Sequence, residues 1–324
     1  MADLLTRCQL RVLAHTLQAD ERELSSLLRL DAAALRALEE RISNALFDAH
    51  EQTFSKVARL APLIPDALVA RVALAAIPPE VGGRAGGALG LAYPDRVAGV
   101  LAHLTPEYLA DAAGYLDPRA IAVLASRIPA AALVPAAELL LRRRDYLTTA
   151  RFVEHATDDL VRAFEQALSD DAGLLHTAAS TASTVRLNEL VRIFPATRQI
   201  ALLRAAAADA DETLLCAVSV LARLDLELRQ RLTTALIAEL EETGVRRLFR
   251  VALDSDAVEE LLIAVSAAAD AERAAVADML GREGNSMLIA LSNAAESPEA
   301  RRALQDLAEL VPSGSEPVAH PDTL

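Results

Sequence analysis

Apolar residues recur along most of this chain at intervals of three and four, the spacing of a helix that buries one face. Over residues 32–60, Leu35, Leu38, Ile42, Leu46 and Ala49 fall on one side, with Glu39, Glu40, Arg41 and Asp48 on the other. Residues 1–62 therefore read as two or three helices that cap one end of the core. Self-association through the long helix, giving a homodimer, is the alternative.

From residue 63 the pattern becomes periodic. Pro65, Pro79, Pro94, Pro106, Pro118 and Pro129 recur every 11–15 residues. Thr105-Pro106-Glu107 places a capping oxygen, then Pro at the first helical position, then an acid in the first turn, and Asp117-Pro118 repeats the first two. Proline suits that position because its missing N–H would have been unsatisfied anyway. After Pro94 come Val97, Val100, Leu101 and Leu104; after Pro106, Leu109, Ala112, Ala113 and Leu116; after Pro118, Ile121, Leu124, Ala125 and Ile128. Each unit of residues 63–156 thus reads as one short helix with one buried stripe. A single such helix cannot bury its stripe alone, so consecutive units must stack.

Over residues 157–310 the helices lengthen. Helical runs are expected near 186–208, 211–222, 225–243, 256–269, 270–280 and 286–310. Acid-rich starts lie at Asp158-Asp159, Asp211-Glu212, Asp254-Ser255-Asp256 and Ser297-Pro298-Glu299. Residues 177–184 are small and polar and read as a hinge. Residues 311–324 read as a disordered tail. The fold class is all-α: a superhelical, solenoid-like array of short Pro-initiated helices followed by longer HEAT-like helix pairs.

Composition sharpens this picture. Hydrophobic residues supply 53% of the 324, yet aromatics only 3%, with no Trp. Strand formers are thin while Ala and Leu favour helix, so a β-barrel or sandwich is excluded. Cys8 and Cys216 stand far apart, which gives neither a disulfide framework nor a metal-binding spacing. No uncharged apolar run approaches the ~20 residues of a membrane span, and Asp3 and Arg7 break any signal-peptide core. A soluble, cytoplasmic chain is expected. The net charge of −14 repels phosphate backbones and anionic lipids, which disfavours nucleic acid and membrane surfaces and favours a basic protein partner.

The run LIPDALVARVALAAIPPE, then AYPDRVAGVLAHLTPEYLADAAGYLDPRAIAVLASRIP, resembles the short Pro-acid-leucine helical repeats of the cytoplasmic N-terminal domain of MgtE-type magnesium transporters. FliG-type flagellar motor-switch proteins carry similar repeats. The resemblance covers about residues 63–140 and implies a compact helical superhelix used for docking or regulation, with a magnesium-responsive domain as one reading. The chain departs from the transporters in lacking a transmembrane region and a paired nucleotide-sensing domain, so no metal ligands carry over.

The glycine-rich stretch from Val81 to Gly90 lacks the Lys-Ser/Thr of a phosphate loop, and no strand precedes it. Counted from Pro79, its stripe positions are Gly82, Ala85, Gly86 and Leu89. Gly82 and Gly86 should therefore face inward, either against a closely approaching helix or lining a groove for an apolar small molecule such as a lipid or isoprenoid. Tyr93, Tyr108, Tyr115 and Tyr146 either line such a groove or plug a core made mostly of alanine. Arg142, Arg143 and Arg144 form the one concentrated basic run, a candidate anion grip or a solvated helix end. Glu154-His155 with Asp158-Asp159 places an imidazole and carboxylates one turn apart, more in keeping with capping than with metal binding. Glu241-Glu242 and Glu259-Glu260 read as solvated faces. No nucleophile elbow, paired Cys and His or dinucleotide fingerprint occurs. The reading is a non-enzymatic helical scaffold that binds a protein, without cofactor, metal or catalytic residues; a carrier or sensor of an apolar molecule is the alternative.

Overall fold

Text this rich in Ala and Leu folds into nineteen α-helices and one 3-10 helix, with no strand among the described residues. The computed structural model describes residues 3–58 and 64–311. No described helix is long and apolar enough to cross a membrane. The helices divide into two compact units, one over Leu4–Pro195 and one beginning at Ala196. That boundary falls at the only proline between Pro135 and Pro298.

In the first unit, α1 (Leu4–Leu17) pairs with α2 (Ala32–Ala58), and Leu10, Leu13 and Leu35 are buried between them. The short helices follow as α3 (Asp66–Ala76), α4 (Pro79–Ala92), α5 (Pro94–Leu101), α6 (Pro106–Ala113) and α7 (Pro118–Leu124). Then come α8 (Ala130–Arg142), α9 (Tyr146–His155), α10 (Asp158–Ala167), α11 (Asp171–Ser180) and α12 (Thr184–Ile193). From α3 to α12 each helix packs on the next but one, the contact order of helices stacked in two rows.

Proline occupies the first turn of α4, α5, α6 and α7, whereas Pro65 and Pro129 sit one residue earlier, at the N-caps of α3 and α8. The Thr105 hydroxyl accepts the Tyr108 N–H at 3.3 Å, and the Asp117 carboxylate accepts the Arg119 N–H at 2.9 Å. Of the stripe positions, Val97, Ala112, Ala113, Leu116, Ile121, Leu124 and Ala125 are buried.

The second unit comprises α13 (Ala196–Ala208), α14 (Asp211–Arg223), α15 (Leu226–Asp254), α16 (Val258–Ser266), α17 (Asp270–Glu283), α18 (Asn285–Ala294) and α19 (Pro298–Glu309). Next-but-one packing runs through it as well, around a core that includes Leu214, Leu221, Leu236, Leu248 and Phe249. α15 is interrupted at Glu241, whose φ of 52° breaks the helix where a run ending near 243 was expected.

Several expectations shift at this level. The run 186–208 is two helices separated at Pro195, and 286–310 is two helices separated before Pro298. Asp254-Ser255-Asp256 is the end of α15, not a start: Asp256 takes a φ of 53° and the Ala257 N–H reaches back to the Ala252 carbonyl. The expected hinge is packed and tied, because Thr177 and Thr181 are buried and the Glu154 carboxylate accepts the N–H groups of Ala182 and Ser183. The expected tail lies, beyond Val311, outside the described residues.

Candidate functional site

The glycines of α4 make a close helix contact, displaced by one position from the expected stripe. Gly83, Gly87 and Gly90 are buried, while Gly82 and Gly86 are half-buried. A Cβ on Gly83 would clash with the Ala112 carbonyl oxygen, and one on Gly87 would lie 2.7 Å from the Asp117 N. Gly90 abuts Leu124, and Gly82 abuts the Tyr108 hydroxyl. At Gly86 a Cβ would meet only Leu116 Cδ1, at 3.5 Å. The register differs because α4 packs on α2 as well as on α5, α6 and α7, so it is not buried along a single stripe. The notch expected at Gly82 and Gly86 thus meets the Tyr108 ring at Gly82 and the Leu116 side chain, at ordinary contact distance, at Gly86.

The four tyrosines do not converge. Tyr108 is buried, and its hydroxyl donates to the Ile77 carbonyl at 3.1 Å. Gly114 ends α6, and Tyr115 follows with its Cβ against Gly83 of α4. Tyr93 is exposed, and Tyr146 stacks on His176 with ring centroids 4.6 Å apart. The basic run is divided too. Arg142 pairs with Glu138 on its own helix, Arg143 pairs with Asp111 at 2.5 Å, and Arg144 adopts φ 58° just past α8. Among the described residues no group of three or more His, Cys, Asp or Glu side chains could hold a metal ion. Glu154 is instead a loop clamp. Glu259, expected on a solvated face, does the same work before α19, accepting the Ser297 N–H at 2.8 Å.

Two features stand out in the first unit. The first is α3, of which only Ala70 and Ala73 are buried. Leu68, Val72 and Ala75 fall on the opposite side at helical spacing, and Leu68, Val72 and Leu74 are 47%, 51% and 40% exposed. Its main helix partner is α5.

The second feature is a cavity of about 720 Å³, walled by α1, α2, α4, α6, α8 and α9. Leu17, Leu46, Ala110 and Leu140 supply apolar wall, and His15, Arg84, Tyr115, Asp111, Arg143 and Arg151 supply most of the chemistry. Arg84 lies over the Tyr115 ring, 5.5 Å from its centroid. Burial pushes the Arg151 guanidinium pKa below its ordinary value, against the pull of Glu39, Asp117, Asp145 and Glu154. Sequence reasoning reached Tyr115 and Arg143 but missed Arg84, Arg151 and His15. These lie on three helices far apart in the chain, and no local spacing links them.

Compared with known proteins, the chain matches no family model, no curated protein and no solved structure.

Proposed function

We propose that this chain is a non-enzymatic helical scaffold that binds a protein partner through α3. The observation that carries this reading is the exposed apolar face of Leu68, Val72 and Ala75 on a helix that buries only two alanines of its own. Apolar side chains grouped in this way on a surface mark interaction sites more often than scattered ones do. The net charge of −14 selects a partner with an apolar anchor and a basic rim, since complementary fields speed encounter and suppress wrong partners.

The test compares the protein with a Leu68→Asp/Val72→Asp variant. Because both side chains are exposed, the melting temperature of the variant should stay unchanged. A basic protein retained saturably by the wild type should be lost on the variant, and the purified pair should reproduce this in a titration. If no retained protein depends on this face, the reading fails. If the face instead drives concentration-dependent self-association in sedimentation, the occupant is a second copy of the chain.

A further inference from the structure

Two guanidiniums on the cavity wall, Arg84 and Arg151, make no ion pair to a described residue. Arg143 is matched by Asp111 at 2.5 Å. Arg84 makes no ion pair or hydrogen bond to a described residue, and its one specific contact is the Tyr115 ring. Arg151, half-buried on α9, likewise has neither. The four carboxylates that act on Arg151 through space each accept a hydrogen bond from another group. Glu39 accepts the Thr16 hydroxyl at 2.8 Å, Asp117 grips Arg119, Asp145 caps α9 through the Thr148 N–H at 3.1 Å, and Glu154 clamps the loop before α12. Guanidinium donors that line a cavity and meet no protein acceptor there remain open to an anionic ligand. This is the more telling in a chain of net charge −14, where acids are plentiful.

The geometry points to a binding site for a small organic anion, a carboxylate or phosphate head on an apolar body, with Arg84 and Arg151 holding the head. Guanidinium forks match both kinds of head through paired N–H donors. Tyr115 orients the Arg84 plane, and Leu17, Leu46, Ala110 and Leu140 face the apolar body. The volume of about 720 Å³ falls in the range of small-molecule pockets. Asp145 and the Asp111–Arg143 pair share the wall, so the cavity as a whole is only modestly positive. This favours a singly or doubly charged head over a polyanion. The site is separate from α3 and stands or falls independently of the scaffold reading.

Isothermal titration of the full chain with decanoate, decyl phosphate and decanol, each below its micellar concentration, tests this. One equivalent of at least one anion should bind saturably, about tenfold or more tighter than decanol. Which anion binds more tightly assigns the head. Arg151→Gln and Arg84→Gln should each weaken that binding by about tenfold or more and leave decanol unchanged. Arg142→Gln, outside the cavity, should change nothing. Without ligand, Arg151→Gln should melt close to the wild-type temperature, because the half-buried guanidinium makes no hydrogen bond or ion pair to a described residue. Three results would each overturn the proposal: no anion binding at millimolar concentration, decanol binding as tightly as the anions, or anion binding that survives Arg84→Gln. Should Arg151→Gln fail to fold, Arg151 has a structural role, and the Arg84→Gln arm decides the site.

Discussion

Three helix ends illustrate, at the scale of single residues, what local sequence does not announce. α1, α8 and α15 end in left-handed residues that are not glycine: Gln18, Arg144 and Asp256. In each the following N–H reaches back to a carbonyl five residues earlier, as in Asp145 to Leu140 at 2.9 Å. Glycine is the usual residue at this place, so its absence hid the motif. Replacing Arg144, which is exposed and makes no ion pair to a described residue, by Gly should raise stability by about 0.5–1 kcal/mol in chemical denaturation. Tyr108 carries a pH prediction. Burial, and then the charge of Glu80, push its pKa above the ordinary value. Its contribution is therefore complete below pH about 10, the unfolded value, and is lost as the pH rises through the raised folded value. Unfolding free energy should fall above pH about 10, and Tyr108→Phe should flatten that fall, at a cost of about 1 kcal/mol at neutral pH for the lost bond to Ile77.

At the scale of elements, the short helices were the most legible part of the chain. A capping oxygen followed by proline marks a helix start by local sterics alone, and α6 and α7 begin where that pairing occurs. The inward face of α4 was less legible, because it depends on how many neighbours a helix has. Alanine substitution reads this out directly. Gly83→Ala and Gly87→Ala set a methyl against the backbone of Ala112 and Asp117, and each should cost about 1–3 kcal/mol. Gly86→Ala meets only Leu116 at ordinary distance and should gain up to about 1 kcal/mol of helix propensity. The melting temperatures should therefore rank Gly86→Ala above wild type, with the other two below it. Glu154 and Glu259 show a different limit. Acids after apolar runs look solvated, yet each accepts N–H groups of a loop 28 to 38 residues further on.

At the scale of the whole molecule, the division at Pro195 gives two bodies with their own cores. A fragment of residues 1–195 should keep the helical circular dichroism of its share of the chain and melt cooperatively. A non-cooperative melt would show that the unit needs the rest of the chain. Composition, helical periodicity and proline placement determined by themselves that this chain is helical and where most helices start, because these depend on backbone sterics and on the spacing of apolar residues within a turn or two. Tertiary structure alone decided which glycines touch a neighbour, which carboxylates clamp a distant loop, and that Arg84 and Arg151 share one cavity while the acids that act on Arg151 each accept a hydrogen bond from another group. Each of these facts is a distance between residues on separate helices, set by how the helices stack, and no spacing along the chain encodes it.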